Sequence, residues 1–289
     1  MIKLKNKIII LVFINSFFCQ GEYQILTTPK NAFQLSTNGG LSSLVSTYNY
    51  SNPATFNITS NEYAFNLIHY PSDIMVYNFS KNRYSISFLD YGFFEDQIQD
   101  IIYQSFSAYE VMIQYYYTKK VRNHTFGFSV GLFQSNIYNY NSLGMSNSIG
   151  MNSFYKELNL SLGFSVENLG YILKSYTSYD QKLPLKYRLG INTEIKKLVI
   201  GYDILYLKYT NELQHIICLQ FMPNENMTIR LSNTSNYKDL WLEDNPYNFI
   251  SGLGIGLDIS LKNIEINIGL LNLGIAGTVY GTSINFLRN

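Results

Sequence analysis

Three histidines, His69, His124 and His215, are the side chains best suited to proton transfer or metal binding near neutral pH. None is accompanied by a carboxylate or cysteine at a recognised ligand spacing, so we predict no metal and no cofactor. Glu95-Asp96 with Asp100 forms a small acidic group, which is more typical of a solvated loop than of a cation site. Because the chain has neither a Gly-x-Ser-x-Gly elbow nor a phosphate-binding loop, we predict that it is not an enzyme.

Strands are the elements that must position any site, because apolar residues alternate with small or polar ones along most of the chain. The run from 248 to 289 is the clearest case. Its alternating apolar positions include Ile255, Leu257, Ile259, Ile264, Ile266, Ile268, Leu270, Tyr280, Ile284 and Phe286. Glycine, serine, asparagine and a few charged residues lie between them. A period of two places one set of side chains on each face of a sheet, and short turns favour an antiparallel meander.

Composition and the N-terminus indicate an exported protein with a surface that water does not cover everywhere. Only 14% of the 289 residues are charged, whereas 26 are tyrosine and 19 are phenylalanine. The net charge of +1 gives no electrostatic case for nucleic acid. Lys3, Lys5 and Lys7 precede an apolar run at 8–18 and the sequence Cys19-Gln20-Gly21, which predicts a signal peptide at 1–21. A lipoprotein interpretation, in which Cys19 is acylated, is the alternative.

The alternating pattern begins at residue 61 and predicts about 13 or 14 strands, many of them about 9 to 13 residues long. A strand tilted through a bilayer needs ~9–11 residues, and its sheet must close so that every backbone group is paired. We therefore predict an all-β fold, a closed antiparallel transmembrane β-barrel of about 14 strands at 61–289. A secreted β-sandwich or a periplasmic barrel, with its apolar face turned inward, is the alternative. Glu167, Asp203 and Asp258 are predicted to face the lumen.

A series of short motifs runs along the chain. They are Phe33-Gln34-Leu35-Ser36, Gly39-Gly40, Asn52-Pro53-Ala54, Asp90-Tyr91-Gly92-Phe93-Phe94, Phe106-Ser107-Ala108-Tyr109-Glu110, Val166-Glu167-Asn168-Leu169-Gly170, Leu183-Pro184-Leu185 and Leu189-Gly190. In this order they resemble the PorV/PorQ family of outer-membrane proteins, a member of the long-chain fatty-acid transporter (FadL-like) barrel class. The resemblance is closer to the PorQ branch. One departure is the stretch Ser36-Thr37-Asn38, which lacks the arginine usual in the opening of that family.

The resemblance implies a 14-stranded barrel whose N-terminal segment, residues 22–60, folds into the lumen as a plug. Asn52, Pro53 and Ala54 would then lie inside the barrel, although an ordinary surface turn is the alternative. It also implies an accessory or shuttle of the type IX secretion system in the outer membrane of a Bacteroidetes-type bacterium. Its expected partners are outer-membrane lipid, secretion-system proteins and cargo with a C-terminal signal domain.

Contact with such partners would use extracellular loops, for which 90–106, 140–154 and 236–248 are the candidates. Tyr237, Trp241 and Tyr247 could anchor a partner there, or could serve ordinary loop packing or an interfacial girdle. The alternative function is a FadL-like channel for hydrophobic small molecules, which requires an apolar pocket or a gap in the wall. An enzyme of the barrel wall is a third hypothesis, and it requires a serine within hydrogen-bond reach of a base.

Overall fold

The structure, a computed structural model, describes residues 23–46, 49–56, 61–98, 101–177, 181–235 and 248–287. The predicted signal peptide lies outside these ranges and stays a prediction. The first seven strands are β1 (Asn61–His69), β2 (Met75–Lys81), β3 (Tyr84–Ile98), β4 (Ile101–Val121), β5 (His124–Ile137), β6 (Tyr140–Tyr155) and β7 (Leu160–Lys174). The others are β8 (Lys186–Ile195), β9 (Leu198–Leu207), β10 (Glu212–Asn224), β11 (Met227–Thr234), β12 (Gly254–Leu261), β13 (Ile264–Asn272) and β14 (Thr278–Leu287).

The sheet closes on itself. Each strand pairs with its neighbours in the chain, and β1 completes the ring by pairing antiparallel with β14, for example Asn66 opposite Ser283. Closure leaves no edge strand whose backbone groups would go unpaired in lipid. The prediction of a closed antiparallel barrel of about 14 strands is therefore confirmed.

The outer face of the wall is apolar and the inner face is small or polar. On β12, Ile255 and Ile259 point outward and are 40% and 38% exposed, whereas Gly254, Gly256 and Asp258 between them are buried. The same alternation runs around the ring, as the predicted pattern required. A water-soluble sandwich would bury these aliphatic side chains, so the arrangement excludes the sandwich alternative.

The two ends of the barrel differ in their connections. At one end, which we call the short-turn rim, tight turns contain residues with positive φ, among them Asn82, Arg122, Lys196 and Lys262. At the other end, which we call the loop rim, the connections include the longer segments 175–185 and 235–253. Outer-membrane barrels have short turns on the periplasmic side and longer loops on the extracellular side, which gives the barrel a direction.

The loop predicted at 90–106 is wrong, because these residues extend β3 and β4 beyond the wall. β2 pairs with β3 only as far as Asp90, and β4 pairs with β5 only from Ala108. Residues 91–98 and 101–107 therefore form a two-stranded hairpin, which we call the hairpin arm, at the loop rim. Phe93 on this arm is 84% exposed.

The loop predicted at 140–154 is also wrong, because these residues form β6. Its inner positions Ser142, Ser146 and Ser148 are buried, while Leu143 and Ile149 point outward. Asn147 occupies an outward position between them and interrupts the apolar pattern. The strand is held by its ladders to β5 and β7.

The described helices are short. They are α1 (Ala32–Ser36) and single 3-10 turns at Gln24–Leu26, Pro71–Asp73, Lys156–Leu158, Asn248–Ile250 and Gly274–Ala276. Within the described ranges, no helix is long and apolar enough to cross a membrane. The buried residues cluster in the lumen, where the segment before β1 meets the inner wall.

Candidate functional site

The lumen contains residues 23–46 and 49–56, which we call the plug. Hydrogen bonds join it to strands on different sides of the ring. The Ala32 N–H donates to Ser283 Oγ on β14 (3.0 Å), and Ser232 Oγ on β11 donates to the Ser36 carbonyl (2.7 Å). On another side, Ser165 Oγ of β7 donates to the carbonyl of Ser51 (3.2 Å). The plug is therefore fixed to the wall at several points and does not hang from one edge.

Helix α1 lies on a groove formed by three glycines. Gly256, Gly269 and Gly281 are in register across β12, β13 and β14, so that no side chain rises from the wall there. A Cβ at Gly269 would lie only 2.4 Å from the carbonyl oxygen of Ala32. The helix begins at the N-cap Asn31, whose side chain accepts a hydrogen bond from the Gln34 N–H. The glycines that alternate with aliphatic residues near the C-terminus thus make room for α1.

The predicted luminal motif Asn52-Pro53-Ala54 lies against β5 and β6. Asn52 is buried, and its side chain donates to the carbonyl of Met151 (3.3 Å). A Cβ at Gly127 would lie 2.1 Å from the Ala54 nitrogen, and one at Gly150 would lie 2.0 Å from Asn52 Oδ1. The plug is therefore in direct contact with the wall at Gly127 and Gly150, which is a second place where wall glycines make room for it. The three residues do not lie in a surface turn.

Asp203 on β9 receives the turn that follows α1. Its carboxylate accepts hydrogen bonds from the N–H groups of Leu41 (2.7 Å) and Ser42 (3.1 Å). Leu41 has a φ of 55°, which turns both N–H groups toward the same carboxylate. Gly40 has no room for a side chain, because a Cβ would lie 2.7 Å from Cys218 Sγ. The Gly39-Gly40 motif thus brings the plug backbone onto β9 and β10.

Two buried ion pairs lie on the inner wall where it meets the plug. Arg230 on β11 forms a bidentate pair with Asp258 on β12, and its guanidinium lies 4.6 Å from the centre of the Phe33 ring. Arg188 on β8 pairs with Glu167 on β7 (3.0 Å). The three acids predicted to face the lumen do so, and each is engaged by a cation or by the plug.

The plug divides the lumen into an apolar part and a polar part. Near the loop rim, the plug residues Tyr23, Ile25 and Leu26 fill an apolar basin. The basin is lined by wall residues Ile68, Val76, Leu89, Met112, Phe133, Leu271 and Val279. The inner face is therefore apolar at this end, in contrast to its polar character elsewhere. The first residues of the plug occupy the space that an apolar ligand would need.

A polar cavity of about 430 Å³ remains beside the plug. It extends from Thr210 and Glu212, exposed at the loop rim, to the buried side chains of Lys30, Gln114 and Tyr116. Its wall also carries Lys186, Arg188, Glu167 and Asn168. Burial lowers the pKa of Lys30 to about 7, with Glu167 acting in the opposite direction and Lys186 reinforcing the effect of burial.

The wall is interrupted between β7 and β8. Their ladder ends at Glu167 opposite Lys186, so residues 168–174 pair with β6 alone among the described strands. A bulge at Asn168, whose φ is 64°, marks the start of the interruption. A pocket of about 470 Å³ lies there, and Leu169, Tyr171, Ile172, Leu183 and Leu185 are among its lining residues. Asn168 lines both this pocket and the luminal cavity, and its side chain donates a hydrogen bond to the Pro184 carbonyl (3.0 Å).

The metal site and the serine–base pair considered in the sequence analysis can be compared with the described residues. In the part of the chain that the structure describes, no group of three or more His, Cys, Asp and Glu side chains could hold a metal ion. His124 Nδ1 lies 2.8 Å from Ser153 Oγ, which is a serine–base pair. No described carboxylate orients that imidazole, and Ser153 is buried. The proposed anchor residues Tyr237, Trp241 and Tyr247 lie outside the described residues.

The sequence did not reveal Lys30, Lys186 and Arg188 as one group. Lys186 and Arg188 alternate with Leu185, Tyr187 and Leu189 on β8, so their inward direction could have been read from the period of two. Lys30 lies in a segment without periodicity, and no local pattern indicates that it reaches the same cavity.

No family model matches the chain, and no curated protein sequence matches it. Among solved structures, it is similar to a Pseudomonas aeruginosa FadL homologue at 10% identity, covering 90% of this chain and 98% of that chain with a TM-score of 0.52. It is also similar to the Pseudomonas putida toluene transporter TodX at 11% identity, covering 89% and 96% of the two chains with a TM-score of 0.53. At this identity the likeness concerns the fold of outer-membrane FadL-type barrels.

Proposed function

We propose that the chain is an outer-membrane barrel that acts as an accessory or shuttle of type IX protein secretion. In this proposal it binds exported cargo or translocon partners and does not conduct protein itself. The motifs that resemble the PorV/PorQ family support it, since Gly39-Gly40 and Asn52-Pro53-Ala54 are the residues that seat the plug. The loop rim would face the cell exterior and the short-turn rim the periplasm.

The observation that carries the proposal is the fixed plug. Backbone atoms of the plug lie directly on glycines of the wall at Gly127 and Gly269. Asp203 holds the intervening turn through two backbone N–H groups. In the described part of the lumen, a segment held in this way obstructs a polypeptide, so an exported protein would have to engage the barrel from outside the lumen.

The hairpin arm is the surface we propose for partner contact. Its first strand extends past the last pairing of β3 with β2 by up to eight residues, 91–98. Phe93 is exposed, and Phe94 stacks on Phe106 with ring centroids 5.1 Å apart. A two-stranded arm with exposed aromatic rings can bind a partner by strand addition and apolar contact. Tyr237, Trp241 and Tyr247 stay predicted contacts of the same rim.

The test is complementation of a strain that lacks the gene. We expect cargo with a C-terminal signal domain to remain in the periplasm of that strain, and the wild-type chain to restore its export. A variant with residues 92–106 replaced by a two-residue turn should reach the outer membrane folded and fail to restore export. Phe93→Ala gives a milder version of the same loss. Normal export in the deletion strain would refute the proposal.

A FadL-like channel for hydrophobic small molecules is the second candidate. The interruption between β7 and β8 favours it, because Leu169, Tyr171 and Leu183 line a pocket in the wall itself. The remaining luminal cavity argues against it, since cations and amides line that space while Tyr23, Ile25 and Leu26 fill the apolar basin. Uptake of a hydrophobic probe into proteoliposomes at the rate of empty vesicles would eliminate this candidate.

A further inference from the structure

Several buried cationic side chains line the luminal cavity. Lys30, Lys186 and Arg188 are 8%, 7% and 5% exposed, and all three line the cavity. Among the described residues, two carboxylates share that lining, Glu167 and Glu212. Glu212 lies exposed at the mouth, so Glu167 is the described carboxylate in the interior part of the lining.

Glu167 is already engaged by Arg188. Its Oε1 accepts from Arg188 Nε at 3.0 Å and from Ser165 Oγ at 3.1 Å. Arg188 is held further by a hydrogen bond from its Nη1 to the Gly39 carbonyl at 2.8 Å. These hydrogen bonds hold both side chains in place, and Glu167 is not free to move toward Lys30.

Lys30 differs from the buried Arg188 and Arg230 in its partners. Its ammonium donates to the neutral amide oxygen of Gln114 and faces Met112 Sδ at 3.8 Å. The ring of Tyr50 lies 5.9 Å from it. None of the ion pairs among the described residues includes Lys30, whereas Arg230 and Arg188 each have a carboxylate. Buried charges are normally paired, because an uncompensated ion in a low-dielectric interior is costly.

The remainder of the lining is suited to a hydrophilic molecule. Amide and hydroxyl groups are frequent in the lining, among them Gln34, Asn38, Ser51, Ser129 and Ser148, beside apolar residues such as Leu205 and Leu207. The volume of about 430 Å³ lies within the range of ~300–1,000 Å³ typical of small-molecule sites. The exposed mouth at Thr210 opens on the loop rim, so a solute could enter from that side.

We propose that this cavity binds a small hydrophilic anion whose carboxylate or phosphate group pairs with Lys30, while Lys186 and Arg188 add positive charge around it. The site is independent of the secretion role, since it lies in the lumen and not on the hairpin arm. The anion supplies the negative partner that Lys30 lacks among the described residues.

The experiment titrates the purified full chain in detergent with succinate and, separately, with inorganic phosphate, by isothermal titration calorimetry at constant ionic strength. Binding of succinate alone assigns a carboxylate ligand, and binding of phosphate alone assigns a phosphate ligand. We expect Lys30→Met to weaken binding by at least about tenfold, as expected for loss of a charge-assisted contact in a buried site. Lys30→Arg should retain most of the affinity. Lys208→Met, which removes an exposed cation at the loop rim, is the matched control and should bind like the wild type.

A pH profile of the wild type tests the proposal without any substitution. The other charged or titratable groups around Lys30 are Tyr50 on the plug, Tyr116 on β4, Glu167 on β7, and Lys186 and Arg188 on β8. Since burial lowers the pKa of Lys30 to about 7, succinate affinity should fall as the pH rises from 7 to 9. Succinate stays a dianion over this range, whereas phosphate itself titrates. Binding of neither anion, equal binding by Lys30→Met, or a flat profile would overturn the proposal.

Discussion

Gly269→Ala tests whether α1 is seated on the glycine groove of β12–β14. The added Cβ would lie 2.4 Å from the Ala32 carbonyl oxygen, and its next neighbours are the Ala32 carbonyl carbon and Cα at 3.2 Å. All three belong to backbone, so no rotation of a side chain relieves the overlap. Helix α1 has to rise from the wall by roughly 1 Å to reach an ordinary contact distance.

The cost falls on the plug because the wall cannot move. Gly269 is flanked by Gly256 and Gly281, and its strand is hydrogen-bonded on both sides. Overpacking of this kind typically costs ~1–3 kcal/mol. The equilibrium between a seated and a displaced plug should therefore shift by about 5- to 150-fold. The gain in strand propensity from glycine to alanine concerns the unfolded chain and does not enter this local equilibrium.

Cys218 provides a built-in probe of that equilibrium. It is 1% exposed, and its thiol donates to the Thr37 carbonyl at 3.3 Å, so the plug covers it. In a Cys19→Ser background, the rate of maleimide labelling should follow the fraction of molecules in which the plug has moved. We expect Gly269→Ala to be labelled about 5- to 150-fold faster than the wild type.

Gly131→Ala is the matched control. Gly131 is also a buried glycine of the inner wall, but the three atoms nearest to its added Cβ belong to Met112, Gln114 and Ser146. These residues are part of the wall, but Met112 and Gln114 also contact Lys30 of the plug, so this variant should accelerate labelling far less than Gly269→Ala does. Equal acceleration in both variants would indicate general loosening of the barrel. An unchanged rate in Gly269→Ala would refute the seating of α1.

The remaining predictions concern the buried charges. Asp203→Asn replaces an acceptor of the Leu41 N–H with a weaker, uncharged one, so it should lower the thermal midpoint in detergent and speed labelling of the covered cysteine. Asp258→Ala leaves Arg230 as an unpaired buried cation and should destabilise the barrel by ~3–5 kcal/mol, measured by urea unfolding in lipid. Burial lowers the pKa of Lys30 from 10.5 to about 7. Between these two pKa values the folded chain has released a proton that the unfolded chain retains. The free energy of unfolding should therefore rise with pH, by up to about 5 kcal/mol. Thermal midpoints of Lys30→Met that rise as steeply as those of the wild type between pH 7 and 10 would contradict this assignment.

The barrel could be predicted because lipid imposes one rule on every strand of the wall. An outward residue must be apolar, as Ile255 and Ile259 are, and the inner residues between them are free to be small or polar. The apolar pattern predicts strands less well where an outward position is polar or where a segment lies beyond the membrane-spanning wall. β6 was missed because Asn147 takes an outward position, and the hairpin arm was missed because both of its faces lie beyond the wall.

The site was less accessible to sequence reasoning, because its residues meet only in the closed barrel. The resemblance implied that Asn52-Pro53-Ala54 belongs in the lumen, yet no period in the sequence connects these residues to Gly127 or Gly150. Lys30 and Lys186 are far apart in the chain and line one cavity. The sequence does not show that Lys30 is buried or that Glu167 pairs with Arg188, and the proposed role of the Lys30 charge depends on both facts.

The division of the lumen connects the fold to its function. A FadL-type barrel that carried hydrophobic compounds would need free apolar space, but Tyr23, Ile25 and Leu26 of the chain itself occupy the apolar basin. The space left open is lined largely by polar and cationic side chains, Lys30 among them. Emptying the basin would require the plug to leave its glycine seats, against close contacts such as Gly269 with Ala32. A barrel built in this way holds its described interior in place, which is why we propose the loop rim with the hairpin arm as the surface for partners.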